Sequence, residues 1–290
     1  MPTSRKTLAL ALTLVPGIGG KTLTRILTRN DMLGRSPDEF LRLGIEALIE
    51  DYRLTRRAAT AWAQRPPKSL EQAAKWEEQL NALGVNIITA ADAHYPQRIE
   101  QFDTDPPGIL YTFGNTRLLE SKTFTVLSSR KSSPSDLAKI EAYTEENVLA
   151  GKTLVSGHDT PEYQRSAVVP LRWGAPRILV LDNGFFQALG EDLTNEPFRA
   201  ARLWRHQFDP ITDLAISCLN PSTNYHRNSN KIRDRLIASL ALNLDFVEVR
   251  PGGNMFVLAV QALRCGRPTR IYEQSESSEA LANLGARLTE

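Results

Sequence analysis

The chain has 290 residues, enough to bury a substantial core as one large domain or two ordinary ones. Its 35 Lys and Arg nearly cancel its 33 Asp and Glu, so overall charge names no polyanionic partner, and a nucleic-acid binder of this composition must gather its arginines on one face. Cys218 and Cys265 give neither a metal spacing nor a disulfide framework, no apolar run approaches the roughly 20 residues of a membrane helix, and the start does not read as a secretory signal; the expected setting is the cytoplasm.

The first elements are helical. Residues 8–14 and 20–27 read as short helices joined by Val15-Pro16-Gly17-Ile18-Gly19. The two glycines permit a tight turn with uncovered backbone N–H groups, and Ile18 packs between the helices. The segment resembles a helix-hairpin-helix motif, in which such amides and the next helix N-terminus cradle a phosphate. Gly17, Gly19 and Lys21 are its candidate DNA contacts, with Arg25 on the same face; a purely structural helical corner is the alternative. Residues 38–51, 54–64 and 70–83 complete a helical domain, with Arg65-Pro66-Pro67 forcing a break. Trp62 and Trp76 read as packing residues.

From residue 85 the period changes to strands at 85–89, 108–113, 124–127, 153–155, 177–181, 214–217, 246–249 and 269–272. Helices are expected at 135–150, 162–173 (interrupted late by Pro170), within 197–206, and at 229–242 and 254–264. This alternation predicts βαβ crossovers and an α/β fold, a Rossmann-like, doubly wound and mostly parallel sheet over 85–290 behind the helical domain of 1–84. Ligands on such a sheet sit beyond the carboxyl ends of its strands, which singles out the loops 128–133, 156–162, 182–186 and 250–254.

Arg130 follows a strand and precedes a helix, so its guanidinium is placed to grip a phosphate, with Lys131 adding a point charge and Ser132 or Ser133 a hydroxyl. Farther on, Lys231, Arg233 and Arg235 lie two apart and cannot share one helix face. With a helix starting near Asp234, Arg233 enters the pocket, Arg235 reaches around its edge, and Asp234 caps the helix. Arg227 is a candidate on the preceding loop, and Tyr225 is the best-placed aromatic for a base. Asn254, after Gly252-Gly253, is placed to cap the following helix, and Gly157 permits close backbone approach to a ligand. Arg177 opens its strand at the amino end and stays outside the site. His158, Asp159 and Asp182 lack a nucleophile or paired-carboxylate spacing, and His94, His206 and His226 are scattered. Neither an enzyme, a metal nor a cofactor is expected.

Taken in order, several short segments carry a family resemblance. They are Tyr95-Pro96, Asp105-Pro106-Pro107-Gly108-Ile109-Leu110-Tyr111 ending at Gly114, Val126 through Ser133, Val155-Ser156-Gly157, the strand and turn at 177–184, Arg233-Asp234-Arg235-Leu236-Ile237-Ala238, Phe246-Val247-Glu248-Val249, Gly252-Gly253-Asn254, and the closing 262–268. Together they resemble the DprA/Smf family of DNA-processing proteins, which protect incoming single-stranded DNA and load a recombinase onto it. The resemblance implies a non-enzymatic single-strand binder contacting DNA through Arg130, a homodimer, and a recombinase partner of the bacterial RecA type. The chain departs from the family pattern at Ser128 (glycine in the family), at His158-Asp159-Thr160-Pro161 (a small, glycine-rich loop), at Asp234 (Asn) and at Ser217-Cys218 (Ser-Glu). Two other readings stay open: a nucleotide-binding protein, and a scaffold or regulatory paralogue whose pocket has decayed.

Overall fold

The computed structural model describes residues 2–65 and 67–290. They form two compact units, one of Met1–Tyr95, Asp105–Thr112 and Cys218–Pro221, the other of the remaining segments.

The first unit contains helices α1 (Arg5–Thr13), α2 (Gly20–Met32), α3 (Pro37–Leu41), α4 (Ile45–Glu50), α5 (Arg56–Ala63) and α6 (Pro67–Ala82). The stretch predicted as one helix at 38–51 is two, because α3 closes at Arg42 and Gly44 restarts the chain as the N-cap of α4. Ser36 and Glu39 form a reciprocal capping box at the start of α3. In the predicted break after α5, Pro66 lies outside the described residues. Buried Phe40 meets the Tyr52 ring edge-on at 5.0 Å and Trp62 at 5.6 Å, an aromatic centre for the helical unit. Strands β1 (Asn86–Thr89) and β2 (Ile109–Gly114) pair antiparallel, Asn86 opposite Thr112. Just before β2, a Cβ on Gly108 would stand 2.8 Å from the Gly20 carbonyl oxygen and 3.0 Å from the Leu23 Cβ, so glycine there allows α2 to close on the strand. The hydroxyls of Thr13 and Tyr111 both donate to Asn220 Oδ1, at 2.9 and 3.2 Å.

The second unit contains α7 (Gln97–Phe102), β3 (Thr123–Leu127), α8 (Pro134–Leu149), β4 (Thr153–Ser156), α9 (Pro161–Ala167), α10 (Val169–Arg172), β5 (Arg177–Val180), α11 (Phe185–Leu189), β6 (Leu214–Ser217), α12 (Ser229–Leu240), β7 (Asn243–Phe246), α13 (Asn254–Arg264), β8 (Thr269–Tyr272), α14 (Ser278–Ala282) and β9 (Arg287–Thr289). Its strands lie in the order β6-β5-β4-β3-β7-β8-β9, and every pairing among them is parallel. With the antiparallel β1–β2 pair, the whole is a mostly parallel, Rossmann-like α/β fold behind a helical region. β3 to β5 are buried along their length, the near-continuous apolar strands of a sheet covered on both faces. Phe124, Val126, Ile140, Tyr143, Val148, Leu154, Val169 and Val247 form one core cluster.

The helix of 162–173 divides at Val168 into α9 and α10, and Pro170, the expected interruption, stands in the first turn of α10. The helix expected within 197–206 is a short 3-10 turn, Arg199–Leu203. The strand predicted at 246–249 ends earlier, since the Glu248 N–H turns to the Ser128 hydroxyl at 3.2 Å instead of the ladder. Two arginines close the carboxyl end of α12. Arg267 donates to the carbonyls of Ala238, Ser239 and Ala241, and Arg98 to that of Leu240, each placing positive charge at the negative end of the helix. Among the described residues, no helix is long and apolar enough to cross a membrane.

Candidate functional site

The chain leaves β3 toward β4, runs outward to β6, and returns to the other side of β3 as β7. That reversal is the topological switch point, where a crevice opens beyond the strands' carboxyl ends. The loops after β3 and β7 are stitched together there: the Ser129 N–H donates to the Glu248 carbonyl (2.7 Å), the Arg250 N–H to the Ser129 hydroxyl (3.2 Å), and the Arg250 guanidinium to the Arg130 carbonyl (2.8 Å).

The centre of the site is Arg233, which is 1% exposed. α12 begins at Ser229, the start expected for the helix of 229–242, so Arg233 and Asp234 both stand inside it and the capping role that a start near Asp234 would have given Asp234 does not arise. The Arg233 Nε and Nη2 donate to Asp234 Oδ1 at 3.1 and 2.9 Å. Its Nη1 bonds Asp159 and lies 3.7 Å from Asp182, and the guanidinium carbon sits 4.5 Å from the Tyr163 ring centroid. Asp234 also accepts from the Tyr163 hydroxyl (2.7 Å) and from Asn254 Nδ2 (2.8 Å). Gly157 serves this arrangement directly: a Cβ there would lie 3.0 Å from Arg233 Cδ and 3.1 Å from the Tyr163 ring.

Three carboxylates thus surround one buried guanidinium. Burial opposes the charge on Arg233, but Tyr163, Asp234 and Asp159 outweigh it and hold the group firmly protonated. Burial likewise raises Asp234 above the ordinary carboxylate range, against the pull of Arg233. His158 stands beside this cage with Nε2 3.7 Å from Asp182 Oδ1, and that nitrogen makes no hydrogen bond.

The predicted residues divide accordingly. Arg130 lies at the rim, its side chain 56% exposed and 3.9 Å from Asp159, and it donates to the Asn230 amide oxygen, which also accepts from the Tyr225 hydroxyl at 2.7 Å. Lys131 is exposed at φ 64°, a left-handed conformation forced by the tight turn into α8. The Ser132 N–H donates to Glu162 Oε1 (3.1 Å) and its hydroxyl to the Ser129 carbonyl (3.0 Å). Arg227 and Lys231 are exposed. Arg235 reaches Asp103 at 2.7 Å, at the end of α7 rather than in the strand-end loops. Asn254 does not cap α13, whose N-cap is Gly253; its side chain goes to Asp234. Arg177, at the amino end of β5, is buried between Glu196 and Asp213.

In the hairpin of the first unit, Gly17 has φ 86° and Gly20 φ 46°. Gly17, Gly19 and Lys21 are exposed or nearly so. The Lys21 N–H points to Asp105 Oδ1 at 3.4 Å, so a carboxylate of the chain itself stands at the start of α2. Arg25 is bound to the carbonyls of Tyr52 and Arg53.

Sequence reasoning missed Tyr163, Asn230 and Arg250. Only Arg250 had a signal, as the opening residue of a strand-end loop.

Residues 86–288 match the model of the family described as DNA recombination-mediator protein A. The chain belongs to the DprA/Smf family of DNA-processing proteins. Comparison with curated protein sequences gives no match. The crystal structure of DNA processing protein A from Streptococcus pneumoniae superposes with a TM-score of 0.73 at 18% identity, covering 98% of this chain and 92% of that one. DNA processing protein A from Helicobacter pylori, whose structure was described for its single-stranded DNA binding mode, gives 0.54 at 15% identity, covering 70% of this chain and 90% of that one. At these identities the two structures establish the fold. Membership in DprA/Smf, a family of recombination mediators, gives the chain a role in DNA processing and recombination.

Proposed function

We propose that the chain is a cytoplasmic, non-enzymatic mediator that binds single-stranded DNA over the loops at the switch point. The observation that carries this reading is the rim of exposed cations on the stitched strand-end loops, Arg130, Lys131 and Arg250, beside a floor in which Arg233, Asp159, Asp234 and Asn254 bind one another, with Arg227 and Lys231 exposed just before and in the first turn of α12. Phosphates meet the rim, with Arg130 and Lys131 as the principal contacts and the Ser132 hydroxyl beside them. Arg233 with Gly157 and Asn254 shapes the floor, and Arg235 lends charge at the flank. Tyr225, half exposed, offers a ring face to a base. In the helical unit, Gly17, Gly19 and Lys21 are proposed as a second phosphate contact, with Asp105 as the group an incoming phosphate displaces. The family reading extends to a homodimer and to handover of the strand to a RecA-type recombinase. Light scattering of the purified chain and a recombinase pull-down test these two.

Fluorescence anisotropy with a labelled poly-dT oligonucleotide at several salt concentrations, alongside a duplex of equal length, tests the binding. The expected result is preference for the single strand and a log–log salt slope of about −0.7 per phosphate neutralised. The three aspartates around Arg233 favour a second reading, a repurposed pocket with another ligand. Absence of oligonucleotide binding even at low salt would make a decayed or repurposed pocket the better account.

A further inference from the structure

The crossover from β5 to β6 presents a second surface, at the amino edge of the same sheet. Its base is fixed by a buried ion-pair set. Arg177 contacts Glu196 at 2.6 Å and Asp213 at 2.9 Å, and Arg205 contacts Asp213 at 2.6 Å. A bridge between Asn195 and Gln207 closes the neck of the excursion. Its tip is open to solvent: Leu203 is 82% and Trp204 43% exposed, with Trp173 at 52% just before β5. Arg172 lies over the Trp204 ring at 5.6 Å and is next in sequence to Trp173, which makes one patch of the two indoles. Large exposed aromatics held on a rigid base mark a contact surface.

The charges around the patch identify the partner class. Glu141 is taken up by Arg165 and Arg172, and Glu145 accepts from the Trp173 Nε1 at 2.9 Å. Arg199 and Arg202 are exposed and have no carboxylate partner among the described residues; Arg202 touches only the Glu196 carbonyl. Here the Arg172 guanidinium lies over the Trp204 indole, and the exposed Arg199 and Arg202 stand on the short helical turn that ends at Trp204, a combination of stacking face and phosphate-neutralising cations that suits an unpaired nucleic-acid strand.

We propose that this face is an additional single-strand contact, with Trp173 and Trp204 as base-stacking platforms and Arg199 and Arg202 as phosphate contacts. The inference rests on the single-strand reading above and extends it to the far edge of the sheet. The protein's own fluorescence tests it, because Trp62 and Trp76 are buried at 0% and 7% exposure, so bases stacking on protein quench Trp173 and Trp204. Addition of unlabelled poly-dT should quench the intrinsic emission. Trp173→Ala with Trp204→Ala should remove the quenching and weaken binding by about thirtyfold or more, the loss of two stacked bases at roughly 1 kcal/mol or more each. Arg199→Ala with Arg202→Ala should make the salt slope shallower by roughly 1.4. Poly-dT binding by anisotropy with no quenching, and undiminished in the double tryptophan variant, overturns the platform while leaving the single-strand reading intact; the surface then belongs to a protein partner. Binding by neither readout overturns both.

Discussion

At Arg233, one guanidinium neutralises carboxylates that would otherwise stand buried and unpaired. Arg233→Ala strips Asp234 of two hydrogen bonds and Asp159 of its ion pair. Breaking a buried pair from one side costs about 3–5 kcal/mol, so this variant should show that loss in urea denaturation. Arg130→Ala should behave oppositely. Its exposed pair with Asp159 contributes little to stability, so the melting temperature should hold while poly-dT binding weakens and the salt slope drops by about 0.7. His158 gives a pH signature. Burial, the largest influence, pushes its imidazole below the ordinary value of 6.5, although Asp182 and Asp159 pull it upward. The unfolded chain therefore takes up a proton at higher pH than the native chain, and stability drops as pH falls from about 6.5 toward the lower native value. Denaturation at about pH 7.5 and 5.5 should show a smaller difference for His158→Gln than for the wild type.

At the scale of elements, α12 depends on residues remote in sequence. Arg98 and Arg267 close its last turn, and burial pushes Arg267 down to about 10. Its guanidinium is spent on backbone carbonyls. Arg267→Ala should cost about 1–3 kcal/mol, with faster amide exchange confined to the end of α12 as the local readout. No spacing in the sequence foretells such a cap, because its parts lie 26 to 29 residues away in Ala241, Ser239 and Ala238 and 169 away at the Arg98 carbonyl. The helix–strand alternation was legible because β3 to β5 are short, fully buried runs set between longer helical stretches, a contrast of length rather than of period. Short pieces were not: α7 and β9 span only six and three residues, too few to express a period. The converging loops of the site were likewise legible from strand order. The direction of Arg233 was not, because the aspartates that turn it inward come from the loops after β4 and β5 and from its own neighbour in α12.

At the scale of the molecule, the helical unit is not a contiguous piece of sequence. It includes 105–112 and 218–221 as well as the first 95 residues, and within it Gly108 closes on Gly20 and Leu23. A fragment of residues 85–290 therefore retains 105–112 and 218–221 without the helices they pack on. It should be less soluble than the full chain and bind a hydrophobic dye that the full chain does not. The bond from Thr13 and Tyr111 to Asn220 has a further consequence, for order in time. A ribosome adds roughly 5–20 residues per second, so Tyr111 is made several seconds or more before Asn220 exists. Throughout that interval the nascent helical unit holds an open place for a short segment still to be synthesised, and its final closure is set by translation rather than by the intrinsic speed of helix packing.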